Sequence, residues 1–435
     1  MNKEDNSDKE KFFAVNATNW GHKWGYKDST FILNKDRSVS MTGNRYELCG
    51  IDMPDFIPYV EEMLDITIDP DDVLMEVENK PVKEALINDR FSQAIKSEFP
   101  EDRYTFKDDE RLMHSQGQTT DEVYKALYLQ IDKMTDMVFY IESEEETQKL
   151  ILLALKHNVC LVPYGGGTSV SDALKIPDQE ERMVVAVDTR RMNQIDSIDE
   201  EDRRVTVQAG ITGRKLEEIL QEKGFTVGHE PDSIEFSTLG GWISTNASGM
   251  KKNRYGNIED IIENITMITP KGVVEQVKPI TRASIGINPQ NILLGSEGNL
   301  GIITKATLKL HLIPEVQDYN SALFHNWESG VAFMNELSKS KTVPASARLM
   351  DNVQFRFGQA LKERPEGISI WMKNIEKYFV LNIKGFDPYK MVGASFKLEG
   401  TRNEVDFQLD QIKKLTKKYN GIIGGSENGK RGYNL

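Results

Sequence analysis

Three consecutive glycines, Gly165, Gly166 and Gly167, stand between the short apolar run ending Val162-Pro163-Tyr164 and the hydroxyl pair Thr168-Ser169. Without a Cβ, such residues let consecutive backbone N–H groups approach an anion that any side chain would hold away, so the run suits a diphosphate. The plainer reading is a sharp strand-to-helix turn. The spacing matches neither the G-x-G-x-x-G dinucleotide fingerprint nor the G-x-x-x-x-G-K-[ST] phosphate loop, and Thr168 stands where a lysine would meet a γ-phosphate. The loop therefore predicts a nucleotide cofactor other than ATP.

Two further glycine-bearing segments follow. One runs Asp232-Ser233-Ile234-Glu235-Phe236-Ser237-Thr238 and continues through Leu239-Gly240-Gly241-Trp242 to Thr245-Asn246-Ala247-Ser248. The other contains Glu297-Gly298-Asn299-Leu300-Gly301-Ile302-Ile303. With Pro163-Tyr164-Gly165-Gly166-Gly167-Thr168-Ser169 these segments resemble the FAD-binding fold of the vanillyl-alcohol oxidase type. The resemblance implies that the first loop wraps the FAD pyrophosphate, the second runs beside pyrophosphate and flavin, and the third holds the noncovalent cofactor through its main chain. The strings GGGTSVS, GHEPDSIEFSTLGGWISTNASGMKKNRYGNIED, ASARLMDN and WGYKDS narrow the likeness. They resemble the alkylglycerone-phosphate synthase (alkyldihydroxyacetonephosphate synthase) family from about Trp24 to the last residue.

That resemblance implies an ether-lipid, or plasmalogen, enzyme. Its substrates would be acyl-dihydroxyacetone phosphate, whose acyl group is exchanged, and a long-chain fatty alcohol, with FAD as a covalent trap and no net redox. Ser237 and Thr238 also suit the N-cap of a helix beginning near Leu239, and both roles are compatible because a helix N-terminus favours negative charge. His229, in the bend Gly228-His229-Glu230-Pro231, suits a proton shuttle or a phosphate contact, or else a surface histidine bonded to its own loop. Arg348 lies among apolar neighbours in Ser346-Ala347-Arg348-Leu349-Met350-Asp351, where a permanent cation needs a carboxylate or phosphate. Its plainer reading is an ion pair with Asp351 or another acid. The resemblance makes His229 and Arg348 the catalytic candidates. Arg111 also matches a sensitive family position, but a structural role is expected there. Lys251 and Lys252 suit either anionic ligands or solvent.

The chain of 435 residues suffices for two or three domains. Its 54 Lys and Arg against 68 Asp and Glu, a net charge of −14, argue against general nucleic-acid binding. Two isolated cysteines, Cys49 and Cys160, support neither a disulfide framework nor a Cys-rich metal site, and suit a reducing compartment. The densest apolar run, Leu150 to Val162, is broken by Lys156, His157 and Asn158, short of the roughly 18 residues a membrane span needs. Residues 1–23 read as a flexible tail and 24–133 as a helical region, with helices near Pro54 to Leu64 and Asp121 to Leu129. Residues 134–315 read as a two-subdomain FAD-binding domain and 316–435 as an α+β cap, giving an α+β fold class overall.

Within 134–315, Met137 to Tyr140 predicts a strand, and Ser143 with Glu146 a capping box opening a helix to about His157. Strands follow at Met183 to Val187 and Val205 to Val207, with a helix capped by Thr212 and a first subdomain ending near Gly224. A hairpin around Pro270-Lys271-Gly272 and a long strand from Gly301 to Ile313, buried on one face, complete the second. Glu315 to Asp318 reads as a linker, and the cap as an antiparallel sheet with helices on one side. The resemblance implies peroxisomal location, with cytoplasmic location as the alternative, since neither MNKEDNSDK nor GYNL matches a peroxisomal address. It also accommodates peripheral membrane association and a homodimer. Family members continue past an ENGKRGY-like string, so the stop at Leu435 carries the expectation that the family's tyrosine and histidine cluster are lacking and that these residues alone are inactive. Two other readings compete: a flavin-dependent 2-hydroxy-acid oxidase or dehydrogenase of the same fold, and a catalytically incomplete short form.

Overall fold

The computed structural model describes residues 25–434 apart from 27, 70–81, 129, 279–283, 285, 341–342, 364–374 and 376–377. The expected tail at 1–23 lies outside the described residues. The chain divides into two units, the first built on Glu76–Met250 and Tyr255–Ile313, the second on Tyr26–Met75, Lys251–Arg254 and Pro314–Leu435.

The region read as helical opens with a small sheet instead. Strands β1 (Phe31–Leu33), β2 (Val39–Met41) and β3 (Asp52–Met53) pair antiparallel. Strands of two or three residues are too short to show alternation, and their register is held by polar turn chemistry: the Asn34 amide donates to Ser38, Ser40 and Asp52. Helix α1 (Phe56–Leu64) follows as expected and buries Ile57 against Val39 and Met53. The remaining helices of this region, α2 (Asp89–Glu98), α3 (Asp108–Met113) and α4 (Thr120–Leu127), belong to the first unit, with β4 (Tyr104–Thr105) between α2 and α3.

Among the described residues the first unit holds a two-stranded sheet and two larger ones. In one, β5 (Met137–Tyr140) and β6 (Cys160–Tyr164) both pair parallel to β7 (Val184–Asp188), which lies between them, and β4 closes an edge antiparallel. Helix α5 (Glu144–His157) connects β5 to β6 and is capped by Ser143, whose hydroxyl accepts from Glu146 N at 3.1 Å. The box is not reciprocal: the Glu146 carboxylate takes the Glu142 N–H at 2.9 Å. The other sheet has the order β12 (Gly272–Val274), β11 (Ile262–Thr269), β13 (Ile302–Lys309), β9 (Arg204–Gln208), β8 (Ile195–Asp199). Thus the first subdomain ends between β7 and β8, not near Gly224, because β9 pairs with β13 about a hundred residues away (Lys305↔Gln208).

The long strand Gly301 to Ile313 is also revised. It breaks at Leu310, whose N–H goes to Arg203, and β14 (His311–Leu312) leaves to pair with β10 (Phe225–Thr226). It is buried on both faces rather than one. Ile302 and Ile268 face the core of the first sheet, with Phe91, Phe139 and Leu150, whereas Ile303 and Met267 face that of the second, with Val207, Leu216 and Trp242. Leu312, expected inside, is exposed.

In the second unit, β15 (Val316–Phe324), β16 (Ser346–Met350), β17 (Val392–Gly400) and β18 (Ile422–Ile423) form an antiparallel sheet of order β16-β17-β15-β18. Strand pairing begins at Val316↔Gly400, so most of the expected linker is strand. Phe324, Ala394, Phe396 and Leu398 pack under α8 (Trp327–Ser338) and α10 (Arg402–Lys418). The opposite face carries Ser395 and Gly393, against which α9 (Asn352–Ala360) and α11 (Gly425–Asn434) pack. Helices therefore cover both faces, not one.

Candidate functional site

The glycine loop leaves β6 where the Tyr164 carbonyl accepts from Thr189 N at 3.0 Å and Thr189 Oγ1 at 3.1 Å. Its first two glycines are required by the chain itself. A Cβ on Gly165 would lie 2.3 Å from Thr238 Oγ1, and one on Gly166 would lie 2.1 Å from the Phe236 carbonyl oxygen. The Cβ direction at Gly166 is thus filled by backbone, not left open for a ligand, which corrects the simple view of these glycines as ligand clearance. Only Gly167 needs a left-handed backbone, at φ +66°. The third segment closes on the same place: a Cβ on Gly298 would meet Pro163 Cδ at 2.9 Å, and Ser171 Oγ donates to the Glu297 carboxylate at 3.1 Å.

The middle segment is a turn stacked on a helix start. Phe236 and Ser237 both donate their N–H groups to the Ser233 carbonyl at 2.8 Å, and Ser233 sits at φ +57°. The Ile234 carbonyl accepts from Arg214 N, while Asp232 is exposed and Glu235 half-buried. Thr238 caps α7 (Leu239–Thr245), its hydroxyl accepting from Gly241 N at 3.4 Å. Ser237 does not share that role: its hydroxyl accepts from the Trp242 indole N–H at 2.9 Å. Helix α7 ends at left-handed Asn246, where Gly295 and Glu297 donate N–H groups to the carbonyls of Ile243 and Ser244 at 3.0 and 2.9 Å.

The glycine loop therefore contacts both the Asp232–Thr238 turn and the Glu297–Ile303 segment directly, and the latter bonds α7 at Ser244, just before Thr245. Their side chains are used unequally. Thr245, Asn246, Ser248, Asn299 and Leu300 are exposed and Ala247 and Gly301 half-buried, whereas Ile302 and Ile303 turn their side chains into the two cores. Thr168 and Ser169 are half-buried at the loop's end.

His229 lies inside, not on the surface. It is 2 % exposed, its ring meets Trp242 edge-on at 5.1 Å, and a Cβ on Gly249 would come within 2.9 Å of Nδ1. Neither ring nitrogen has a hydrogen-bond partner. Burial pushes its pKa down to about 4, so the imidazole is neutral near pH 7. Two unsatisfied nitrogens on one buried imidazole depart from the usual pairing of buried polar groups. Trp242, which joins Ser237 to His229, escaped the sequence reading; its only signal is its place on the first turn of a helix capped by Thr238.

Arg348 belongs to the second unit. It is half-buried on β16 opposite Ser395, and its guanidinium donates to the Tyr433 carbonyl at 3.3 Å. Asp351 caps α9 by accepting from Gln354 N at 2.8 Å. Lys251 is tucked in beside Glu399, 3.5 Å away, while Lys252 is exposed. Arg111 is structural: it bonds the carbonyls of Thr135 and Lys83 and the Asp108 carboxylate at 2.9, 2.8 and 2.7 Å. Among the described residues no group of three His, Cys, Asp or Glu is placed to hold a metal, and no helix is long and apolar enough to cross a membrane.

Comparison with known proteins bears on this geometry. Residues 135–278 match an FAD binding domain family and 313–428 match the C-terminal domain of FAD linked oxidases. The chain is 41% identical over 422 residues to alkyldihydroxyacetonephosphate synthase of Caenorhabditis elegans, covering 95% of this chain and 69% of the relative. It is 30% identical to the enzyme of that name from Dictyostelium discoideum, covering 94% and 68%. A solved structure of alkyldihydroxyacetonephosphate synthase superposes with TM-score 0.84 at 29% identity, covering 95% of this chain and 75% of that one.

Proposed function

Because the chain belongs to the alkyldihydroxyacetonephosphate synthase family, we propose that it displaces the acyl group of 1-acyl-dihydroxyacetone phosphate with a long-chain fatty alcohol. It is an FAD-dependent enzyme of ether-lipid synthesis. The carbon–oxygen bond to the acyl group breaks, a carbon–oxygen bond to the alcohol forms, and the alcohol's proton leaves with the fatty acid. No electrons are gained or lost overall.

The residues present fit FAD. Backbone closure of the glycine loop on Phe236–Thr238 and Glu297–Gly298 builds a Gly-rich cradle, and a buried imidazole with neither nitrogen hydrogen-bonded packs edge-on against Trp242, whose indole donates to Ser237. When bound, FAD would supply the flavin ring that serves as covalent trap for the exchange without net redox. Pro163 to Ser169, Asp232 to Thr238, Thr245 to Ser248 and the main chain of Glu297 to Ile303 would hold the cofactor. His229, neutral above about pH 4, takes the alcohol's proton, its burial keeping water from competing. Arg348 gives the substrate phosphate a fixed cation. The long apolar chains of both substrates partition into bilayers, which supports peripheral membrane association. Peroxisomal location and a homodimer complete the reading.

The 41% identity over 95% of this chain to alkyldihydroxyacetonephosphate synthase carries this proposal. The test is incubation of the FAD-loaded chain with acyl-dihydroxyacetone phosphate and radiolabelled hexadecanol. Labelled alkyl product supports it. Reduction of the flavin by a 2-hydroxy acid, without alkyl product, would replace it with the oxidase reading.

A further inference from the structure

Beneath the glycine loop lies a buried ionic cluster that the proposed chemistry does not use. Asp188, the last residue of β7, is 1 % exposed and Arg190 5 %. The guanidinium grips the carboxylate through Nε at 2.9 Å and a terminal nitrogen at 2.5 Å. His114, just beyond α3, is also buried. Its Nδ1 is 2.7 Å from the Glu110 carbonyl, which only accepts, so Nδ1 carries a hydrogen. Its Nε2 lies 3.0 Å from Asp188 and 3.2 Å from Arg190.

This cluster touches the loop through one ring. The His114 imidazole lies 4.3 Å from the Tyr164 ring centroid, and the Arg190 guanidinium 5.4 Å from it. The Tyr164 hydroxyl in turn sits under Gly167, where a Cβ would come within 2.2 Å. Burial alone would raise the Asp188 pKa, but Arg190 and His114 hold it well below the carboxylate range, so the pair is ionised. A buried ion pair adds little net stability over an apolar pair of equal volume, which leaves geometry as its distinctive contribution.

We propose that the Asp188–Arg190–His114 cluster is the positioning base of the diphosphate loop: it fixes the Tyr164 ring and, through it, the backbone of Gly165–Gly167. The proposal rests on the FAD reading above for its ligand but not for its geometry. The test titrates FAD into the full apo-chain calorimetrically and follows amide hydrogen exchange at Gly165–Gly167. It compares Tyr164→Leu, His114→Gln and Asp188→Asn with wild type. Expected are at least about tenfold weaker FAD binding and faster loop exchange in all three variants. Wild-type exchange in Tyr164→Leu and His114→Gln would overturn the proposal, as would weakened binding without altered exchange. Should Asp188→Asn not fold, the other two variants decide. Should wild type bind no FAD, the cofactor reading falls, and exchange in the apo-variants still judges the positioning role.

Discussion

His229 in the first unit and Arg348 in the second are both polar side chains drawn out of solvent, and the fold treats them oppositely. His229 is enclosed by Trp242 and Gly249 with neither nitrogen satisfied. Arg348 lies half-buried along a sheet face and is given a main-chain acceptor, the Tyr433 carbonyl. The difference follows from what each group can do when desolvated. An imidazole sheds its proton and is tolerated neutral, whereas a guanidinium stays charged and must be met by acceptors. The imidazole is left neutral and unpaired, the guanidinium charged and supported.

The largest effect expected on this contrast is Gly166→Val. Its branched Cβ would be driven into the Phe236 carbonyl, separating the loop from the turn that leads to Ser237 and Trp242. Flavin absorbance after added FAD should vanish, a loss beyond about a hundredfold in affinity. Retained binding would mean that the two segments need not touch. Next is Arg348→Ala, which should lower ether synthesis by about thirtyfold or more, from the roughly 2–5 kcal/mol attached to a charge pair, while FAD content stays near wild type. If turnover is unchanged, Arg348 only supports Tyr433 and the comparison collapses to one functional residue.

The smallest effect is on stability against pH. Because the folded pKa of His229 is lowered from 6.5 to about 4, the unfolded chain binds the extra proton between those values, and stability falls as pH drops through that window. The full change is on the order of 3 kcal/mol at most, a shift of several degrees in Tm. His229→Gln should flatten that part of the Tm profile relative to wild type. An identical slope in the variant would show that His229 is not buried neutral.

Some of this was legible in the chain. Caps at Ser143, Thr212 and Thr238 are local donor–acceptor arrangements, and structure realises each of them. The four segments of the candidate cradle stood out because glycine permits close backbone approach wherever it occurs, although what approaches Gly166 is Phe236 itself. His229 was visible only as a histidine in a bend. Its enclosure depends on Trp242 and Gly249, and nothing in the sequence spacing places either ring or Cα against it.

What the sequence determined by itself is the run of elements and the places where backbone must come close, because helix periodicity, capping and missing Cβ atoms act over a few residues. Tertiary structure alone decided three things. It set β9 beside β13, which moved the subdomain boundary; it made β13 face two cores; and it gathered His114, Asp188 and Arg190 beneath Tyr164. Each joins residues about 50 or more positions apart, and such contacts form only when burial of a whole sheet offsets the entropy of closing the loop between them.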